Sequence, residues 1–172
     1  MHSLDVKCEA VDVLVVGAGP AGTTAAKVLA GKGFRVLLAE RCKLPRYKSC
    51  SGVLIQKTMT LICQIFGKTP PALVTCSPAE NRGMVFTDDR GKSYRFEQPG
   101  LNVWRDRFDF WLASEASRCG AEILDGTEVT DCKETDGGVL AALQGKKTGL
   151  VQAKFLVDCE GVTGVLKRKL TG

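Results

Sequence analysis

With 172 residues, 44% hydrophobic and 25% charged, the chain is long enough for one ordinary domain with a sizeable core, and its composition excludes a disordered or low-complexity protein. The formal net charge of +5 is modest. No nucleic-acid motif or aromatic platform accompanies it, which argues against a nucleic-acid partner, and no apolar run reaches the length of a membrane span.

The residues before Val11 read as a short polar leader. Val11 to Glu40 then reads as strand, helix and second strand. Val13-Leu14-Val15-Val16 ends at Gly17, and the glycines fall as Gly17-x-Gly19-x-x-Gly22. Gly17 permits a tight turn out of the strand, Gly19 leaves room for a pyrophosphate against the backbone, and Gly22 lets the helix approach the strand. Ala26 and Gly33 keep that helix–sheet junction small. Val36-Leu37-Leu38-Ala39 leads to Glu40, 23 residues after Gly17, where a carboxylate accepts hydrogen bonds from an adenosine ribose. The first helical turn, Ala21 to Thr24, has no carboxylate to repel a phosphate from the helix dipole. Together these features predict a dinucleotide site at Gly17, Gly19, Pro20, Ala21, Gly22 and Glu40. A 2′-phosphate would sit badly against Glu40, so NADP is not expected there.

Arg41 to Gly52 reads as a basic loop, and Val53 to Phe66 has helical spacing through Leu54, Met59, Ile62 and Ile65. From Lys27 to Lys57 there are eight Lys or Arg residues (Lys27, Lys32, Arg35, Arg41, Lys43, Arg46, Lys48, Lys57) against one acid, Glu40. A solvated face and a cationic surround for a phosphorylated ligand are both open readings. Pro70-Pro71 and Pro78 break the pattern. Gly83 to Thr87 and Ser93 to Glu97 alternate as a hairpin about Asp88-Asp89-Arg90-Gly91. Asp106 to Cys119 reads as a helix, with Asp106 as cap, Asp109 also serving the cap, and Gly120 as stop. Trp104 and Trp111 read as core.

Four short strands are expected next: Ala121 to Leu124, Glu128 to Cys132, Val139 to Leu143 and Val151 to Val157. Gly137-Gly138 and Gly145 to Gly149 separate the last three, which suit an antiparallel meander within an otherwise parallel fold. Asp158-Cys159-Glu160-Gly161 and a basic tail, Lys167-Arg168-Lys169, follow. Eight cysteines could suggest a disulfide scaffold, but no secretory signal precedes them, and a dinucleotide fold belongs in a reducing compartment. Free thiols and a cytoplasmic location are therefore expected, with attachment to a membrane surface left open. No CxxC pair is present and the one histidine is His2, so no metal site is expected.

Four segments resemble flavoprotein reductases of the geranylgeranyl reductase family, within the wider group of group A-type flavin hydroxylases and halogenases. The first is the GAGPAG turn with Glu40. The second, Pro45-Arg46-Tyr47-Lys48-Ser49-Cys50-Ser51-Gly52, is similar to a Pro-x-x-Lys-x-Cys-Gly-Gly loop, with Ser51 replacing a glycine. The third, Trp104 to Leu112, resembles an Arg-x-x-Phe-Asp-x-x-Leu helix start. The fourth, Leu156 to Lys167, resembles a Gly-Ala-Asp-Gly-Ala-x-Ser-x-Val-Arg segment, with Glu160 and Gly164 in place of aspartate and serine.

The resemblance implies an α/β, Rossmann-like FAD-binding three-layer domain over residues 1–172, carrying the start of an inserted substrate-side β region at about 76–100. It implies an N-terminal portion, because the later Gly-Asp motif that closes around the flavin has no counterpart here. The implied activity is FAD-dependent reduction of carbon–carbon double bonds in an isoprenoid or other small, lipid-like substrate, with NAD(P)H as a reductant. Hydroxylation or halogenation, and a non-catalytic nucleotide-binding fragment, stay open beside it. The resemblance puts Arg105 on the flavin side, against the alternative of a structural ion pair, Val129 at the adenine through its backbone, against that of a core valine, and Glu160 near the cofactor. Arg41 could stack near adenine or be an ordinary surface arginine. Cys50, beside Lys48, is the implied catalytic residue, against the alternative of a small packing residue.

Overall fold

The computed structural model describes residues 8–162 and 164–167. His2, Arg168 and Lys169, named above, and Thr163 within the fourth segment lie outside the described residues. The chain divides into two compact units, one formed up to Arg46 and again from Leu112 onward, the other Tyr47–Trp111.

The first unit is built on one mixed sheet. Strands β1 (Cys8–Val16), β2 (Val36–Glu40), β6 (Glu122–Asp125) and β9 (Gly149–Asp158) run parallel in the order β6-β2-β1-β9. Strands β8 (Gly138–Gly145) and β7 (Thr127–Thr135) continue it antiparallel. The expected meander is therefore present. Alternation along β1 and β2 sorts the core into two halves. Val13, Val15, Val36 and Leu38 face Ala26 and Ala30 of helix α1 (Pro20–Ala30) and Ala113 and Ala116 of helix α3 (Arg105–Arg118). Leu14, Val16, Leu37 and Ala39 face Val129, Ala141 and Leu143 of the meander. Helices α1 and α3 thus share one half of the core with the parallel strands, and the meander shares the other. Coverage on both faces explains why β1 and β2 are continuous apolar runs.

The leader reading needs correction. β1 already begins at Cys8, because Cys8, Glu9 and Ala10 pair with Leu150, Val151 and Gln152 of β9. Backbone pairing carries the strand beyond its hydrophobic pattern.

In the second unit, the helical reading of Val53 to Phe66 holds only from helix α2 (Gln56–Phe66) onward. Val53–Ile55 forms strand β3 against Gly100 to Asn102 of strand β5 (Ser93–Val103), where branched side chains suit a pleated surface. The hairpin is longer than its alternation suggested. Strand β4 (Thr75–Thr87) includes Pro78, which falls between Thr75 and Glu80, where the pairing register shifts on an edge strand and a missing N–H is tolerated. Helix α3 starts at Arg105, so Asp106 lies inside its first turn and complements the dipole there. Trp111 contacts Phe66 and Phe108 at ring-centroid distances of 5.9 and 6.0 Å, but Trp104 is 55% exposed, contrary to its core reading.

Candidate functional site

The ends of β1, β2 and β9 meet at one edge of the sheet. Val16 aligns with Ala39 and with Asp158, so the turn after β1 lies between the carboxyl ends of its neighbours, where open α/β sheets bind ligands. The Gly17 N–H donates to the Ala39 carbonyl at 2.8 Å, and the Cys159 N–H donates to the Val16 carbonyl at 2.8 Å.

The three glycines have three different physical reasons. Gly17 has φ of 99°, a left-handed value, and a Cβ there would lie 2.6 Å from the Cys159 carbonyl oxygen. A Cβ on Gly22 would lie 1.9 Å from the Gly17 carbonyl oxygen. Gly19 is neither strained nor crowded. Its φ is −77°, and a Cβ there would meet only the Arg46 Nη2 within 4 Å, at 3.8 Å.

Helix α1 starts immediately after Gly19, with Pro20 at its first position. Its first backbone bond runs from the Thr23 N–H to the Gly19 carbonyl at 3.0 Å. The amides of Ala21 and Gly22 therefore precede the hydrogen-bonded ladder. With no acid in the first turn, this end of the helix is suited to an anion.

Glu40 ends β2 and is 5% exposed. Its Oε2 accepts the Ala18 N–H at 2.9 Å and lies 3.1 Å from the Arg46 Nε; its Oε1 accepts the Cys42 N–H at 3.0 Å. The carboxylate predicted to meet a ribose is thus already fixed by the glycine turn and the loop after it. Arg46 is the residue that sequence reasoning underweighted. In sequence it is one member of a basic run and of a loop motif, yet its side chain is only 12% exposed. The basic run is not one surface, because Arg35 pairs with Asp12 at 3.8 Å while Arg46 turns to Glu40.

The other predicted residues take separate stations. Arg41 is exposed next to Glu40. Val129 is 2% exposed with its side chain in the meander core. Glu160 Oε2 accepts the Leu166 N–H at 2.9 Å, which ties the end of the fourth segment to its start. Burial pushes the Cys159 thiol up, with the Asp158 charge adding to the effect.

Cys50, Arg105 and Asp109 belong to the second unit. The Val103 N–H donates to the Gly52 carbonyl at 2.8 Å, which fixes the Cys50 loop to the end of β5, one residue before Trp104 and the start of α3. Asp109 is fully buried and is not a helix cap. It holds Arg105 through two bonds, Nε to Oδ1 at 2.9 Å and Nη2 to Oδ2 at 3.0 Å. The Gly52 N–H and then the Arg105 guanidinium hold the Cys50 thiol below the usual cysteine range. Asp109 in turn raises Arg105 further, keeping it charged.

A lowered thiol pKa means that the fold favours thiolate. That contribution to stability is complete above the unfolded cysteine value and is lost as pH falls through the folded one. Alkylation of Cys50 by iodoacetamide is expected to begin at lower pH than alkylation of Cys159, whose pKa is raised. Arg105→Met should move the Cys50 profile upward. Site-resolved mass spectrometry across a pH series reads both, and coincident profiles would contradict the electrostatic assignment. All eight cysteines are free.

The FAD binding domain family matches residues 10–171. The chain belongs to this family. A probable electron transfer flavoprotein-quinone oxidoreductase of Escherichia coli, YgcN, is 31% identical over 166 residues, covering 92% of this chain and 37% of that protein. Protein FixC of Bradyrhizobium diazoefficiens is 31% identical over 172 residues, covering 92% of this chain and 38% of its own length. Among solved structures, a geranylgeranyl bacteriochlorophyll reductase-like protein from Thermoplasma acidophilum superposes with a TM-score of 0.83 at 24% identity, covering 94% of this chain and 42% of that one. The myxobacterial chondrochloren halogenase gives 0.81 at 27%, covering 93% and 39%. The resemblance drawn from four short segments therefore holds at the level of family and fold. The chain spans about two fifths of the length of these relatives. Among the described residues no helix is long and apolar enough to cross a membrane.

Proposed function

We propose that the chain is the FAD-holding part of an oxidoreductase that reduces carbon–carbon double bonds in an isoprenoid or lipid-like substrate, with NAD(P)H as the electron source. The observation that carries the cofactor reading is Gly19. Neither its backbone angles nor its protein neighbours call for glycine: φ is −77°, and within 4 Å an added Cβ would meet only the end of the flexible Arg46 side chain, at 3.8 Å. A residue kept without a side chain where the protein does not need it absent suits a ligand that approaches the backbone. In this reading Gly17, Gly19, Pro20, Ala21 and Gly22 cradle the pyrophosphate, and Glu40 meets the adenosine ribose. Arg41 and the Val129 backbone flank adenine, while Glu160 and Arg105 serve the flavin side.

Bound FAD would supply hydride transfer; the residues here bind and orient it. Cys50 is the proposed catalytic group on the substrate side, and residues 76–100 the beginning of a substrate-side β region. The resemblance of the lysine-cysteine loop to the reductases supports both. The name of the quinone oxidoreductase relative supports a second reading, in which a quinone is the lipid-like electron acceptor.

Flavin absorbance of the purified protein, titration with FAD and anaerobic turnover with an isoprenoid alkene or a quinone test these readings. The 172-residue chain is expected to bind FAD weakly and turn over poorly, because half a site leaves the flavin ring without a closed cavity. In a longer chain that carries the missing portion, Cys50→Ala should retain flavin and lower alkene reduction. Unchanged reduction would return Cys50 to a packing role. Absence of any FAD binding would defeat the cofactor reading itself.

A further inference from the structure

The arrangement of Glu40 and Arg46 has a consequence for how a nucleotide enters. A carboxylate oxygen offers two lone-pair sites. Oε2 of Glu40 already receives the Ala18 N–H at 2.9 Å and the Arg46 Nε at 3.1 Å, whereas among the described residues Oε1 receives only the Cys42 N–H, at 3.0 Å. A ribose presents two neighbouring hydroxyls and needs two acceptor sites. One remains on Oε1; the second opens only if a donor leaves Oε2. The Ala18 amide is part of the glycine turn, between strand and helix. Arg46, on a side chain with several rotatable bonds, can leave.

The loop that carries Arg46 is firmly placed. The Leu44 N–H donates to Asp125 Oδ2 at 2.9 Å, the Gly126 N–H donates to the Cys42 carbonyl at 3.2 Å, and Leu44 itself is buried at 8% exposure. The Leu44 amide and then Lys146 hold the Asp125 carboxyl below its usual range, so the anchor stays charged. From this fixed base the guanidinium reaches the space over Gly19, where its Nη2 is 3.8 Å from the position of an added Cβ.

The geometry points to Arg46 as an exchangeable latch: it holds Glu40 before the nucleotide arrives, then trades that carboxylate for the incoming pyrophosphate, releasing Oε2 for the ribose. This rests on the dinucleotide reading above and deepens it. A guanidinium leaving a largely buried carboxylate needs another anion in reach, since breaking such a pair without replacement is costly. A pyrophosphate over Gly19 is such an anion, and a planar, forked donor suits it. A nucleoside without phosphate must take Oε2 from Arg46 and itself brings no anion in exchange. The latch therefore selects adenine nucleotides that carry a diphosphate over adenosine.

The test is calorimetric titration of the protein with ADP and, separately, with adenosine. In the unaltered chain ADP should bind more tightly than adenosine, and its affinity should fall with added salt. Arg46→Met should reduce the ADP-to-adenosine preference by at least tenfold, with ADP affinity lost and adenosine affinity equal or higher. Because that change leaves Glu40 without its cation, the double variant Glu40→Gln/Arg46→Met, which removes both charges, repeats the measurement where the single variant melts early. It too should show a collapsed preference. An unchanged preference in the folded variants overturns the latch while the dinucleotide reading stands. Failure of the unaltered chain to bind ADP at millimolar concentration overturns both.

Discussion

Replacing Gly19 by valine is expected to leave the melting temperature within a few degrees of the parent and to weaken FAD binding roughly 10- to 100-fold, the range expected when an added side chain must displace a ligand or the loop by 1–3 kcal/mol. The two halves of this expectation come from the same geometry. Gly19 occupies an extended backbone region open to any residue, at φ −77° and ψ −179°, so valine brings no backbone strain. Within 4 Å, an added Cβ meets only the Arg46 Nη2, the far end of a flexible side chain. Valine would occupy the space in which the pyrophosphate is proposed to lie. Thermal melts and flavin fluorescence titration on the same sample separate the two effects. Unaltered FAD affinity in a folded Gly19→Val protein would remove the main support for the cradle.

Much of the first unit was readable because its signals are local. The apolar runs ending in Gly17 and Glu40 define two buried parallel strands, and the spacing of Gly17, Gly19 and Gly22 defines the turn and helix between them. The meander was equally legible, since Gly137-Gly138 and Gly145 to Gly149 separate three period-2 runs. The failures have a common cause in pairing across distance. Cys8 to Ala10 are a strand because β9 lies beside them, and Val53–Ile55 is a strand because β5 offers an edge. Neither partner can be inferred from the segment itself.

The candidate site divides along the same line. Glu40 was marked by its distance from the glycines, but its saturation by the Ala18 and Cys42 amides and Arg46 depends on how a loop folds back. Arg46 resembles its basic neighbours in sequence; only burial distinguishes it. Asp109 gave a similar false signal. Three residues after Asp106 it suggested capping, whereas the helix starts one residue earlier and sets it one full turn beyond Arg105, in reach of the guanidinium.

Gly22→Ala should have the opposite signature to Gly19→Val. One methyl group at Gly22 would stand 1.9 Å from the Gly17 carbonyl oxygen and 3.3 Å from the Cys159 Cβ. The first of these is backbone and cannot rotate away. Gly17 cannot yield easily either, since its N–H is bonded to the Ala39 carbonyl and the space beside it is so filled that a Cβ there would lie 2.6 Å from the Cys159 carbonyl oxygen. Relief therefore requires α1 to lift from β1, which breaks the contact of Ala26 and Ala30 with Val13, Val15 and Leu38. The expected cost is about 3 kcal/mol or more, at the upper end of overpacking in a close-packed interior. Urea unfolding should show a lowered midpoint, and saturating FAD should recover only part of it, because the altered turn also displaces the Ala21 and Gly22 amides. A Gly22→Ala protein as stable as the parent would mean that helix and strand can separate freely, and that the close approach at this turn is not what fixes glycine there.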